Sequence, residues 1–403
     1  MTTQPAPAAA SPDLLYSETE DDLRAAVRSL LTDRADLPAT LARAESGDPY
    51  DPGLWTSLTA GIGVAGLLVP EKLGGQGAGH REAAVVLEEL GRAVTPAPYL
   101  TSSVVATETL LGCDGESTES TDVAGLLTAL ASGHRTAVLA LPLTTAPDAP
   151  LPFAGDAVAA GDPAEATTTV SAVADAVRAD VLLVPRADGL YAVETAAPGV
   201  TVEPLTPLDL TRPLATVTVP AGHGIRIADA ATGEAAVRRG LLAGAGLLAS
   251  EQLGLAEWCL EETVRHTRER HQFNRPVGSF QALKHRMAQL WLEVVSARAA
   301  ARNAADALAT GDPGAPLAVA VAQAYCGRVA VHAAEECVQL HGGTGMTWEH
   351  PAHLYLKRAK SDESALGSPG AHRERLAGLA DLPGPEWRVQ VTGGAPGRGP
   401  AGG

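Results

Sequence analysis

Residues 337–367 read CVQLHGGTGMTWEHPAHLYLKRAKSDESALG, and the way this stretch begins decides the fold. The segment leading into it, Ala318 to Leu340, holds no proline and one glycine, and it repeats apolar residues at helical spacing until Gly342-Gly343. Paired glycine after a periodic run is a helix C-cap signal, because glycine enters the left-handed region without a steric penalty. Gly343 and Gly345 leave main chain exposed around Thr344, which suits contact between backbone N–H groups and a polar ligand. Taken alone, GGTG is equally well a helix stop and nothing more.

Upstream, Arg268 to Leu290 reads RERHQFNRPVGSFQALKHRMAQL. A helix ends there in a basic cluster, a turn follows around Asn274-Arg275-Pro276, and a second helix starts near Ser279. Two helices joined so tightly should run antiparallel. The pattern R-x-x-F-x-x-P-x-G-x-F-Q (Arg270, Phe273, Pro276, Gly278, Phe280, Gln281), followed downstream by Q-L-H-G-G-T-G, resembles the acyl-CoA dehydrogenase family.

That resemblance implies FAD as cofactor, with its ADP half held by Arg270, Phe273, Gln281, Gln339 and the Gly342-Gly343 turn for the flavin of a neighbouring subunit. The chemistry agrees: Arg270 offers a charged fork to a pyrophosphate, and the amides of Gln281 and Gln339 offer donors and acceptors to adenine and phosphates. It also implies an acyl-CoA thioester substrate, lipid metabolism, and an electron-acceptor flavoprotein. In the family the catalytic base is commonly a glutamate in a Tyr-Glu-Gly-Thr turn. Counting forward from Gln339 puts that position at Leu366, ahead of Gly367-Ser368. Other members carry the base on the preceding long helix, and counting back from Arg270 lands near Gly244 and Ala245. None of these can take a proton, so no catalytic residue is assigned.

Composition sets the frame. The chain has 403 residues, enough for two or three domains. Aromatics make up only 3% against 45% hydrophobic residues, so packing must come from Ala, Leu and Val, which favours helices meeting closely. A formal net charge of -17 argues against nucleic acid or an anionic membrane surface as partner. The basic residues nevertheless gather between Arg265 and Arg286, as on a solvated helix face or an anion site. Cys113, Cys259, Cys326 and Cys337 lack the spacing of a zinc site or a disulfide framework. The N-terminus has no secretory pattern and no stretch reads as a membrane span of ~20 apolar residues, so a cytoplasmic protein is expected.

Along the chain, residues 1–13 are Pro- and Ala-rich and expected to be disordered. A helical domain over 14–134 opens with a Ser17/Glu20 capping box, and Leu23, Val27, Leu30 and Leu31 share a face. Val69-Pro70-Glu71, Gly74, Gly75 and Gly77, and Glu88 to Arg92 (EELGR), resemble the family's N-terminal domain, though turn chemistry alone accounts for the glycines. Over 135–228 the period changes to short runs such as TAVLALPL, ADVLLVPRADGLYAVETA, GVTVEPL and LATVTVP, with a turn at Asp188-Gly189, as in a middle β domain. The T-E-P-x-x-G-S-D motif by which the family holds the flavin ring and thioester is missing, while Leu208 to Pro213 (LDLTRP) does resemble it. Residues 229–382 read as a helical bundle, with helices Ala231–Arg268, Ser279–Thr310, Pro316–Leu340 and Pro351–Ser364, and residues 383–403 as a flexible tail.

The fold expected is therefore α+β: a helical domain, a middle β-barrel domain and a four-helix bundle. The expected function is one subunit of a heteromeric, FAD-dependent acyl-CoA dehydrogenase. It would give the ADP-binding half of the flavin site while a homologous partner, in a heterodimer or heterotetramer, gives the base. Family members of this kind act on bulky acyl groups, steroid-derived ones included. Two other readings stay open. One is a self-associating flavoenzyme with a displaced base such as Glu251, Asp362 or Glu363; the other is an interaction subunit that binds no flavin.

Overall fold

The computed structural model describes residues 12–35, 37–113, 120–153 and 167–380. Expectations for residues 1–11, for 114–119 within the Ser- and Thr-rich loop, for 154–166 and for the tail from 383 lie outside them.

The first helix, α1 (Glu18–Arg34), starts as its sequence dictates: Ser17 accepts from the Glu20 N–H, and the Glu20 carboxylate takes the Ser17 N–H at 2.6 Å. It is followed by α2 (Leu37–Glu45), α3 (Pro52–Thr56), α4 (His80–Arg92), α5 (Thr107–Gly112) and α6 (Ser120–Ala131). Tyr99–Ala106 is wound as a π-helix that runs directly into α5. The Val69–Gly77 motif is built of tight turns: Gly74 and Gly77 have φ of 81° and 60°, and a Cβ on Gly75 would lie 2.0 Å from the Val69 carbonyl oxygen.

Seven strands follow among the described residues: β1 (Ala137–Leu139), β2 (Thr168–Ala174), β3 (Val181–Arg186), β4 (Gly189–Glu194), β5 (Thr201–Leu205), β6 (Leu214–Val219) and β7 (Ile225–Asp229). They make a four-stranded sheet in the order β1-β3-β4-β7 and a three-stranded sheet in the order β2-β6-β5. β1 pairs parallel with β3 and every other pairing is antiparallel. β3 is buried along its whole length because it faces two cores. Val181 and Leu183 join the main core with the helices, whereas Leu182 and Val184 join a second core between the sheets. That is why VLLV has no polar alternation.

Asp229 caps α7 (Ala230–Glu269), the 40-residue axis of the molecule, by accepting from the Thr232 N–H. After a short hairpin, β8 (His271–Gln272) and β9 (Arg275–Pro276), come α8 (Gln281–Ala309), α9 (Ala315–His341), α10 (Ala352–Ser364) and α11 (Pro369–Leu379). Contacts Thr267–Met287 and Glu257–Arg298 show that α8 runs antiparallel to α7, as the short connection requires. The four predicted bundle helices lie within a residue or two of their predicted ends; α11 is a fifth that the sequence reading did not separate.

Two expectations change. The hairpin turn is Phe273-Asn274, with φ of 53° and 59° as in a type I′ turn, not Asn274-Arg275-Pro276, because Arg275 and Pro276 pair with Gln272 and His271. By length and composition α9, in its most apolar 18-residue window, is apolar enough to cross a membrane. Its place between α7, α8, α10 and α11 explains that character, since 61% of the window is buried within the protein.

Low aromatic content is offset by close helix approach, most of all between α4 and α7. A Cβ on Gly91 would lie 2.2 Å from the Glu251 carbonyl oxygen, and one on Gly254 would lie 1.9 Å from that of Glu88. Gly254→Ala should therefore force α4 and α7 apart and destabilise the fold by roughly 1 to 3 kcal/mol despite its better helix propensity. Gly125→Ala in α6, where an added Cβ meets nothing within 4 Å, should instead stabilise by up to about 1 kcal/mol. Urea denaturation of the two variants checks this, and equal midpoints would contradict it.

Candidate functional site

The six residues predicted to hold a nucleotide lie at one end of the bundle. α7 ends beside α9, with the ring centroids of His266 and His341 4.1 Å apart, so the chain segments beyond these two helices emerge together. Arg270 caps α7 and is exposed, whereas Arg265, a turn earlier, is tied to Glu262 and Glu269. Phe273, at the tip of the hairpin, is 85% exposed and meets Phe280 edge-on. Arg275 stacks on Phe280 at 3.9 Å, so its charge is already engaged. Gln281, at the start of α8, and Gln339, in the last turn of α9, are exposed as well.

Gly342 closes α9 at φ 60°, and open space surrounds both it and Gly343. Gly345 differs from the sequence expectation. It is buried, and an added Cβ would lie 2.5 Å from the Val338 carbonyl oxygen, so its smallness serves packing and not exposure. The set is thus an arginine, two amides, an aromatic ring and a bare turn, all facing outward. Such a set fits the phosphates and adenine of a dinucleotide presented by a second molecule, and it encloses nothing by itself.

The two expected positions of the base meet in space. A Cβ on Gly244 in α7 would lie 3.1 Å from Leu366 Cδ1 and 2.5 Å from Val105 Cγ2. Leu366 is held at φ 53° just past α10, its N–H donating to the Leu143 carbonyl at 2.8 Å. Around it is a cavity of only about 30 Å³ lined by Leu100, Thr101, Val105, Leu139, Leu143 and Leu241, among others. Among the described lining residues only Thr101 has a polar side chain, and its hydroxyl donates to Asp175 at 2.6 Å. The sequence reading identified Leu366 and Gly244 but missed the residues that close on them, since nothing in the sequence marks Leu100, Val105 or Leu143 as neighbours.

The candidate displaced bases are occupied elsewhere. Glu251 is buried and accepts from Arg212 and Arg358, each at 2.5 Å. Burial pushes its pKa up, but the two guanidinium charges outweigh that and hold it below the usual carboxylate value. A carboxylate so stabilised is a poor base. Glu363 lies near Lys360 on the outer side of α10. Asp362 is fully buried, with Arg212 at 3.5 Å and no hydrogen bond to either carboxyl oxygen. Burial first, then the charge of Glu251, pushes it well above the ordinary aspartate value. Asp362 faces this ionic network and does not line the Leu366 cavity.

A helical domain, a two-sheet middle domain and a bundle that offers an arginine hairpin and a glycine turn define a flavoprotein oxidoreductase of the acyl-CoA-oxidising kind. Residues 17–114 match the acyl-CoA dehydrogenase N-terminal domain and residues 231–378 the acyl-CoA dehydrogenase C-terminal domain. The chain is 35% identical over 364 residues to acyl-CoA dehydrogenase IpdE2 of Mycolicibacterium smegmatis, covering 89% of this chain and 98% of that one. Its structure resembles the ChsE4-ChsE5 complex from Mycobacterium tuberculosis (TM-score 0.78, 27% identity, 92% of this chain and 100% of that chain). It also resembles a variant of the Tcur3481-Tcur3483 steroid ACAD (TM-score 0.75, 28% identity, 90% and 98%). The chain belongs to the acyl-CoA dehydrogenase family.

The raised pKa of Asp362 has a signed consequence. A group whose folded-state pKa is raised contributes stability below its unfolded value of about 3.9, and that contribution is lost as pH rises toward the folded value. Asp362→Asn has no such proton to lose. Its stability relative to the wild type should improve as pH rises from about 4 to 8, by up to about 1.4 kcal/mol per pH unit. Melting temperatures of both proteins across that range check it, and a constant difference would contradict it.

Proposed function

We propose that this chain is the base-deficient subunit of a heteromeric, FAD-dependent acyl-CoA dehydrogenase. The observation that carries the proposal is the meeting of Leu366, Gly244 and Val105. Both places where the family puts its base converge on one apolar spot, and the cavity there is too small for an acyl chain. Desaturation next to a thioester needs a desolvated carboxylate and donors on the thioester oxygen. FAD, when bound, supplies the hydride acceptor.

What this chain contributes is binding and orientation. Arg270 would pair with the pyrophosphate, Gln281 and Gln339 with adenine and phosphate oxygens, Phe273 would cover the nucleotide, and the Gly342-Gly343 turn would let main chain approach it. The flavin ring, the base and the acyl site belong to the homologous partner. The resemblance to the ChsE4-ChsE5 complex and to the Tcur3481-Tcur3483 steroid ACAD, each named for two components, favours this reading. It also favours a bulky, steroid-derived acyl-CoA as substrate. Electrons would pass to an acceptor flavoprotein, in the cytoplasm. The displaced-base reading is disfavoured because Glu251 is committed to two arginines.

Purified alone, the chain should be colourless and should not reduce an artificial electron acceptor with any acyl-CoA, even with added FAD. Co-expressed with a base-bearing homologue encoded beside it, it should form a yellow complex, measured as flavin per protein after gel filtration. Turnover by the lone chain would overturn the proposal, and a complex without flavin would favour a purely structural subunit. Within the complex, Arg270→Ala should weaken FAD retention by about ten- to hundredfold, the value of one charge-assisted hydrogen bond of roughly 1.5 to 3 kcal/mol. Arg275→Ala, with its charge spent on Phe280, should do less, and equal effects would refute the assignment.

A further inference from the structure

One polar cluster adjoins the nucleotide end but includes none of the six residues assigned there, and it lies apart from the apolar cavity and the buried ionic network. Where α7 and α9 end, Glu262, His341 and His350 bring a carboxylate oxygen and two ring nitrogens within 4.8 Å of one another. Glu262 Oε1 lies 3.5 Å from His341 Nε2 and 3.8 Å from His350 Nε2. Ligands of four-coordinate zinc, bound at ~2.0–2.1 Å, stand about 3.3–3.4 Å apart, so only a small closure separates this arrangement from a coordination shell.

His341 supplies the second observation. It is only 5% exposed, yet its Nε2 has no hydrogen-bond partner. Its Nδ1 lies 2.7 Å from the Cys337 carbonyl oxygen, which places a proton on Nδ1 and turns Nε2 toward Glu262, where an ion would take the place of any proton on Nε2. A carbonyl on the far nitrogen is the common support of a metal-bound imidazole. The His266 ring, packed at 4.1 Å, holds the His341 ring in place.

We propose that Glu262, His341 and His350 bind a divalent transition-metal ion of the zinc class, with a fourth position left to water. Two imidazoles and one carboxylate are a known donor set for such ions. The bound ion ties the segment between α9 and α10, which carries Gly342 and Gly343, to the last turns of α7. The proposal is independent of the acyl-CoA chemistry above.

Two neighbours compete with the ion. Arg265 donates to both oxygens of Glu262 and holds part of its charge. The Ala352 N–H donates to His350 Nδ1 at 3.2 Å, which puts the ring proton on Nε2. Binding there must move that proton to Nδ1 and break this contact, and because protons compete with the ion for both imidazoles, affinity should rise with pH.

The test uses the full chain, stripped with a chelator and titrated calorimetrically with zinc chloride, with cobalt(II) as a spectroscopic probe. Saturable binding near one ion per chain is expected, with visible cobalt bands and a raised melting temperature. His350→Ala, in a half-buried loop position, should keep the circular dichroism of the wild type and lose all three signals; Glu262→Gln should lose them too. Arg265→Gln should bind zinc more tightly, because it frees the carboxylate. Absence of saturable binding, or binding unchanged in both His350→Ala and Glu262→Gln, would overturn the site and leave His341 and Glu262 as an ordinary ion pair.

Discussion

Arg358 holds the parts of the molecule in register. It is 3% exposed and divides its guanidinium between Asp209 at 2.6 Å, Glu251 at 2.5 Å and the Thr211 carbonyl at 2.9 Å. Asp209 and Thr211 come from the loop between β5 and β6, Glu251 from the middle of α7, and Arg358 itself from α10. One charge thus ties the sheets, the long helix and the C-terminal helices together. Buried charges survive only as satisfied groups, and removing one partner of such a set commonly costs about 3–5 kcal/mol because the others are left unpaired. Arg212 extends the set by donating to Glu251, and Asp362 lies 3.5 Å from Arg212 without a hydrogen bond.

That network also fixes what the Leu366 region can be. α10 is anchored through Arg358, and Leu366 follows it directly, pinned to Leu143 at the end of the first sheet's approach to the bundle. α7 is held against α4 by Gly91 and Gly254, which places Gly244 opposite Leu366. The scaffold is therefore that of an acyl-CoA dehydrogenase, but the residues that scaffold brings together are apolar. An intact frame with an apolar plug is what the proposed supporting role requires, and the exposed Arg270, Phe273 and Gln339 are the residues that proposal assigns to it.

Much of this was legible in the sequence wherever the signal was local. The Ser17/Glu20 capping box, the α9 stop at Gly342 and the change of period at the first strand each depend on a few neighbouring residues, while the turn expected at Asp188-Gly189 falls one residue earlier, at Ala187-Asp188, because Gly189 pairs with Arg186. Errors arose where a residue's conformation answered to something distant. Gly345 looked like part of an open turn and is instead a packing residue against Val338. The hairpin turn shifted to Phe273-Asn274 because pairing of His271 with Pro276 set its register. The apolar length of α9 could be judged only once its four helical neighbours were known.

By itself the sequence determined the family, the succession of helical, β and helical regions, the candidate residues for a nucleotide, and the lack of a carboxylate at either expected position of the base. These follow from residue identity and short-range spacing, which the chain carries in one dimension. Only the tertiary structure decided that the two vacant base positions are one place, that Glu251 is neutralised by Arg212 and Arg358, and that Glu262, His341 and His350 converge. Each of those depends on groups far apart in the chain being brought within a few ångströms by helix packing, and the charge or proton a side chain carries is set by that company.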